Sequence, residues 1–483
     1  MTTPKPPFSG LNASRLNAPG ASGLNAPELP KEDLGLFTDL YELTMSQAFF
    51  RQGMSATATF SLFTRTYPLN RAYFVSAGLE DVLDYLSNLN FSGRAIDYLR
   101  ATGIFSDDFL EYLRGLRFTG SVRAIPEGRL YFTDEPAVEV TAPLIEAQLV
   151  ETFIINQVNL QSMLATKATR CVWAAQGRGI ADFASRRTQG TDAALKMARA
   201  SYIAGFTSTS NVLAASLYGM PPSGTMAHSF ISSFPSELDA FRAYAASFPD
   251  RTTLLVDTYD TITGTRNAVQ VAKEMEVANN GRLVAVRLDS GNFDELSRQV
   301  RKILDDSGLG YVKIVVSGGL DEYALEALVK AGAPIDLFGV GTKAGVSADA
   351  PWSDMAYKLV NFNGRPVIKL STGKVSLPGP KQVYRTKDAN GKFAKDIIAM
   401  ENENLPGGLP VLEEFMKDGQ RIGPAATIEE IRTRFEEEFA ALDDRFKALN
   451  NPPRYPVSVS SRLERLSSEV QEEVMGINVS DSD

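Results

Sequence analysis

The segment Gly224-Thr-Met-Ala-His-Ser-Phe holds the chain's single histidine, His228. A lone imidazole serves either as a hydrogen-bonded core group or as a general acid, base or nucleophile oriented by a carboxylate. Two aspartates, Asp257 and Asp289, each follow an apolar run, Thr253–Val256 and Leu283–Leu288. At the ends of neighbouring strands they would suit a shared Mg2+ ion or the hydroxyls of a sugar; the competing reading is N-capping of the helices that follow. Arg287 interrupts the otherwise apolar Leu283-Val-Ala-Val-Arg-Leu, and a buried guanidinium requires a partner. Asp257, Asp289 or a planar substrate carboxylate held by two hydrogen bonds would each provide one.

Two glycine clusters lie further on, Ser317-Gly318-Gly319 and Gly339-Val-Gly341-Thr342-Lys343. Each can present backbone N–H groups that no side chain blocks, and the second adds a hydroxyl and an ammonium. Either alone reads as a tight turn; two in succession point to a phosphate site. Arg186 and Arg187 form a basic pair suited to phosphate or diphosphate, or simply to solvent.

These residues recur at the ends of short apolar runs separated by helical stretches. Run ends near Val256, Leu288, Val316 and Val340 are 32, 28 and 24 residues apart, the spacing of βα units, and the runs are apolar throughout, as strands buried on both faces are. With further strands at Gly179–Ala184 and Ser223–Ala227, the pattern predicts an α/β barrel, an open doubly wound sheet being the alternative. A barrel would bring all the polar run ends to one rim, with phosphate at the last two loops.

Around this unit the pattern differs. Residues 1–30 carry three SGLNA-like repeats rich in Pro, Gly, Ser and Asn and predict a disordered extension. Residues 31–172 mix a helix at Asp39–Gln52, capped by Thr38, with antiparallel runs at Ala58–Arg65 and Gly120–Ala124 and a long helix from Pro143 to Thr166. Residues 173–378 form the barrel. In 379–483, Thr427 and Glu430 make a capping box, and Ile428, Ile431, Phe435, Phe439, Leu442, Phe446 and Leu449 predict an amphipathic helix with a packing role on the N-terminal domain.

Composition bounds the remaining options. The 483 residues include 49 Lys+Arg against 58 Asp+Glu, a net charge of −9, which disfavours nucleic acid and anionic membranes as partners. One cysteine excludes an intramolecular disulfide and a Cys/His zinc cluster, and with no signal peptide or membrane span in view the expected location is the cytoplasm.

Six motifs in order, Thr38-Asp-Leu-Tyr-Glu-Leu-Thr-Met, Pro126-Glu-Gly, Ser208-Thr-Ser-Asn-Val-Leu-Ala, Gly224-Thr-Met-Ala-His-Ser-Phe, Val286-Arg-Leu-Asp-Ser-Gly and Gly339-Val-Gly-Thr, resemble nicotinate phosphoribosyltransferases. The resemblance runs from Leu34 to Arg385 and returns around Tyr455-Pro-Val. It implies an irregular, TIM-like α/β barrel of the type II phosphoribosyltransferase kind, with a second α+β domain built from N- and C-terminal segments. It implies an ATP-dependent ligase that joins nicotinate to 5-phosphoribosyl 1-diphosphate with Mg2+, yielding nicotinate mononucleotide and diphosphate, the entry of nicotinate into NAD. The family works as a homodimer with active sites at the interface.

Carried over by residue, the resemblance makes His228 the imidazole transiently phosphorylated by ATP. Tyr41, from the partner copy, and Phe183 are the aromatics on the two faces of the pyridine ring. Arg287 meets the nicotinate carboxylate with Thr225 beside it, and Arg186 lies near diphosphate and base. Asp257 and Asp289 lie near ribose and metal, and Ser317, Gly318, Gly319, Gly341 and Thr342 cradle the 5′-phosphate. Ser210 stands where the nicotinamide-using relative carries an aspartate, which favours nicotinate. Two readings of other classes are a Schiff-base aldolase using Lys343 and a catalytically silent barrel scaffold.

Overall fold

A computed structural model describes residues 31–371 and 376–480; the predicted disordered extension, 1–30, lies outside them. Three regions of the chain build one antiparallel seven-stranded sheet. Thr57–Thr64 lies between Met355–Phe362 and Val138–Pro143, and Ser121–Ala124 lies between Val138–Pro143 and Glu413–Lys417. Residues 355–366, predicted to belong to the barrel, therefore join this sheet. Packing explains the difference: Tyr357 is buried, stacks on Phe60 with centroids 4.9 Å apart and donates its hydroxyl to the Ala147 carbonyl at 2.8 Å.

The helix predicted from Asp39 forms at Leu40–Arg51, with Asp39 rather than Thr38 at the N-cap. The Thr38 hydroxyl donates instead to the Glu42 carboxylate in the first turn and lies 3.2 Å from the Leu149 carbonyl, so it is engaged by a side chain of the helix and by a distant carbonyl rather than by the helix amides. The long helix predicted from Pro143 is two, Leu144–Leu149 and Glu151–Ala175. The second carries the buried Lys167 and Arg170 into the barrel wall, where both pair with the fully buried Glu322.

The barrel is a six-stranded parallel sheet in the spatial order Ser208–Thr209, Gly179–Asp182, Leu337–Val340, Lys313–Ser317, Leu283–Leu288 and Thr252–Leu255. That is chain order on a circle, with one seam between the strands at 208–209 and 252–255. The strand predicted at Ser223–Ala227 is absent: Pro222 makes a single bridge to Thr209, and the chain then runs extended to a short helix, His228–Ser232. Pro221 and Pro222 supply no N–H, so only Ser223 donates to Thr209, at 2.8 Å.

Helices wrap the sheet, and their apolar sides join the strands in one core with Val286, Val316, Phe338 and Val340. The predicted amphipathic helix forms at Ile428–Ala441, opens with the capping box and ends eight residues before Leu449; a further helix, Ser461–Ser480, follows it. Leu442 is extended, yet Leu442, Phe446 and Leu449 are still buried. The Ile428–Ala441 helix leans on the barrel as well as on the N-terminal domain. Arg432 donates to the carbonyls of Tyr202 and Phe206, Tyr202 donates to Glu429 at 2.7 Å, and Arg434 donates to the Glu127 carbonyl at 2.6 Å.

Candidate active site

The C-terminal ends of the barrel strands surround a cavity of about 440 Å³. Twelve of the fourteen residues predicted for the site line it: Phe183, Arg186, Ser210, Thr225, His228, Arg287, Asp289, Ser317, Gly318, Gly319, Gly341 and Thr342. Asp257 sits just behind the wall. Tyr41 does not reach the cavity within one chain; it lies 46% exposed on the N-terminal domain, in a groove with Met45, Glu151 and Tyr357.

Asp182, at the end of its strand, is fully buried and holds the first loop. Its carboxylate accepts the Ala184 N–H at 2.8 Å and the Thr209 hydroxyl at 2.7 Å, while its carbonyl accepts the Ser210 N–H at 2.8 Å. Burial pushes this carboxyl above its ordinary range, against those two hydrogen bonds. Phe183 is thereby laid over the end of Leu337–Val340, and only glycine fits beneath it. A Cβ at Gly339 would stand 2.5 Å from the Phe183 ring.

Arg287 occupies the cavity floor. It donates to the Thr225 hydroxyl, and its nearest carboxylate oxygen, on Asp289, is 4.0 Å away. Its buried Nε–H has no hydrogen-bond partner among the described residues. Burial lowers its pKa, opposed by Asp289 and Asp257 and abetted by Arg186. Of the partners predicted for this guanidinium, neither aspartate pairs closely with it, leaving donor capacity for a planar anion in the cavity.

The two aspartates do not cap the helices that follow; Asp260 and Asn292 do. Asp257 Oδ2 accepts the Asp289 N–H at 2.8 Å and the Ser290 hydroxyl at 2.7 Å, and its Oδ1 is buried without a partner. Asp289 accepts the Ser317 hydroxyl. Its other oxygen stands 3.9 Å from His228 Nε2, and His228 Nδ1 is 3.0 Å from the Thr258 hydroxyl. The imidazole thus has one nitrogen steadied and the other facing the cavity.

Gly318 and Gly319, both on the cavity wall, adopt φ of +101° and +66°, the left-handed region that favours glycine. A Cβ at Gly318 would lie 2.0 Å from the Asp289 carbonyl oxygen. Lys343 is not part of the lining. Its ammonium, predicted to join the phosphate cradle, is held by Asp321 at 2.7 Å.

Three residues to which the sequence assigns no role hold the site groups in place: Asp182, Thr258 and Ser290. Thr258 and Ser290 follow the two aspartates directly, and a hydroxyl after a strand-end acid was their only signal. Among the described residues no group of three His, Cys, Asp or Glu is arranged to hold a metal ion. Asp257 Oδ1, buried and unpartnered behind the wall, and Asp289 on the wall fit an ion whose remaining ligands come from substrate phosphates and water.

Fold and site define the class: an α/β-barrel enzyme whose pocket combines anion-binding glycine loops, a buried arginine and one imidazole. Family models cover most of the chain, the N-terminal domain of nicotinate phosphoribosyltransferase at residues 36–159, the nicotinate phosphoribosyltransferase family at 179–379 and its C-terminal domain at 409–467. A nicotinate phosphoribosyltransferase of Mycobacterium tuberculosis is 50% identical over 430 residues, covering 89% of this chain and 92% of the relative. One from Bacillus subtilis is 36% identical, covering 92% and 98%. The crystal structure of human nicotinic acid phosphoribosyltransferase superposes with a TM-score of 0.81 at 29% identity, covering 90% of this chain and 99% of that one. The chain belongs to the nicotinate phosphoribosyltransferase family.

Proposed function

We propose that the protein joins nicotinate to 5-phosphoribosyl 1-diphosphate, releasing diphosphate and nicotinate mononucleotide, with ATP phosphorylating His228 in the cycle. The observation that carries this reading is the cavity floor, where Arg287 and Thr225 offer directional donors for a carboxylate within reach of two glycine loops fit for a phosphate. The ring nitrogen attacks C1′ of the ribose as the C1′–O bond to diphosphate breaks. The oxocarbenium-like charge that develops falls near Asp257 and Asp289. Phe183 covers one face of the base. Ser317, Gly318, Gly319, Gly341 and Thr342 hold the 5′-phosphate, and Arg186 meets the diphosphate. Asp257 and Asp289 would hold Mg2+ together with the substrate, where it would supply charge neutralisation for the leaving diphosphate.

His228 fits phosphoryl transfer because Thr258 fixes one nitrogen while the other remains open. The imidazole nitrogen takes the terminal phosphoryl of ATP as its bond to the departing ADP breaks, and water later cleaves the N–P bond, releasing phosphate and restoring the imidazole. A homodimer completes the pocket. Two exposed apolar faces, Leu40, Tyr41 and Met45 on the N-terminal domain and Val212, Leu213 and Leu217 beside the cavity, suit burial against a second copy, which would bring in Tyr41. The cytoplasm is the natural setting, since no described helix is long and apolar enough to cross a membrane and the one thiol, Cys171, is free and buried.

The test is formation of nicotinate mononucleotide from the two substrates with and without ATP, together with incubation in γ-labelled ATP. Product, and acid-labile, base-stable label absent from His228→Ala, are expected. Absence of product from the wild type rejects the reading in favour of a silent scaffold. Product without label on the wild type rejects the phosphohistidine.

A further inference from the structure

The two glycine loops of the phosphate cradle leave neighbouring paired strands, with Ser317 opposite Gly339, and past that pairing the glycines add no side-chain contact of their own. Gly318 and Gly319 carry no side chains, and a Cβ at Gly319 would meet nothing within 4 Å. The residues just beyond each loop, however, are joined twice. Near the surface, Lys343 Nζ of the second loop donates to Asp321 Oδ2, two residues past Gly319, at 2.7 Å. The other oxygen of Asp321 accepts the Ala324 N–H at 2.9 Å and so caps Glu322–Lys330. Burial works against the Asp321 carboxylate, yet Lys343 and the capped amide hold it below its ordinary range. At depth, the Lys167 ammonium bridges Glu322 of the first segment and Asp349 of the second, the latter at 2.7 Å, and Arg71 braces Asp349 at 3.0 Å.

We infer that Lys343 and Asp321 are positioning residues whose ion pair fixes the separation of the two phosphate-binding loops, an assignment that rests on the functional reading above. A phosphate held by amides from both loops needs that separation set before it arrives, or binding must supply the ordering. The location of Lys343 supports this over direct contact: Gly341 and Thr342 line the cavity and Lys343 does not. The deep tie through Lys167 maintains the fold, so the outer pair can be removed without unfolding the chain, as an ion pair with Lys343 47% exposed allows.

The experiment is a double-mutant cycle with Lys343→Met and Asp321→Asn, with Lys343→Arg as the conservative variant. Kd for 5-phosphoribosyl 1-diphosphate is measured by calorimetry, and KM for both substrates is measured in turnover. Asparagine preserves the helix cap, so the cycle reports the tie alone. Each single variant is expected to weaken 5-phosphoribosyl 1-diphosphate about five- to tenfold, with the double variant no worse than the poorer single and the arginine variant close to wild type. KM for nicotinate should stay within about twofold. Unchanged or tighter binding in Asp321→Asn overturns the tie, and tighter binding there means a freed Lys343 meets the phosphate itself. Additive losses in the double variant also overturn it. A wild type that neither binds 5-phosphoribosyl 1-diphosphate nor turns over overturns the functional reading, and this inference with it.

Discussion

Gly339→Ala probes how the barrel makes room for the aromatic wall of the base pocket. Gly339 lies in the strand Leu337–Val340 with a φ that any residue adopts, so backbone strain contributes nothing. The added methyl would stand 2.5 and 2.6 Å from two carbons of the Phe183 ring and 3.0 Å from Ser317 Cβ. Ordinary carbon contacts are about 3.5–4 Å, so the ring must retreat by roughly 1 Å, in the range where overpacking costs about 1–3 kcal/mol. Phe183 cannot retreat freely, because its N–H is bonded to the Val340 carbonyl at 2.8 Å and Asp182 holds its loop. The expected result is thermal unfolding several degrees lower and a KM for nicotinate raised about tenfold or more, with 5-phosphoribosyl 1-diphosphate affected less. Phe183→Ala in the same chain should remove most of the added stability loss. A Gly339→Ala variant with wild-type melting and wild-type KM for nicotinate would refute the packing account.

Arg287→Lys removes the fork of donors that reaches Thr225 and the cavity; KM for nicotinate should rise about tenfold or more while melting changes little, and an unchanged KM would show that the carboxylate is read elsewhere. Ser210→Asp places an acid in the base pocket: wild type should prefer nicotinate over nicotinamide by at least about tenfold in kcat/KM, and the variant should narrow that ratio. Equal use of both bases by the wild type would defeat this. Glu42 is raised from 4.5 to about 7 by burial first, then by Glu151 and Asp39, against its bonds from Thr152. Between those values the folded chain keeps a proton that the unfolded chain releases, so this group's stabilisation is lost as pH rises through the window. Glu42→Gln should therefore flatten the fall in stability between pH 5 and 8, followed by melting at each pH, by about 1–2 kcal/mol once solvent screening is allowed for. An identical pH profile in wild type and variant would count against it.

The four barrel strands ending near Val256, Leu288, Val316 and Val340 were legible because they are largely buried and their polar residues collect just past the apolar runs. Apolar run and polar end are local properties, so the positions of Arg287, Asp289, Ser317 and Thr342 followed from the sequence. The seam was not. Pro221 and Pro222 remove the donors of a strand that hydrophobicity alone suggested, and the chain at Gly224–Ala227 instead runs extended to His228. The sheet membership of residues 355–366 was equally hidden. Their pattern suits a strand, but the partner, Thr57–Thr64, is about 300 residues away, and only shared packing around Tyr357 and Phe60 selects it.

Sequence alone therefore determined the chemical inventory: one imidazole, a guanidinium in an apolar strand, acids and glycines at strand ends, and family membership through their order. Tertiary structure decided what each group is free to do. Lys343, placed by sequence beside a phosphate loop, is committed to Asp321. Arg287, for which sequence offered two aspartate partners, is left with open donors in the cavity. A charged side chain reaches several ångströms in any direction, so its neighbours in the chain do not fix its partner; the elements packed around it do.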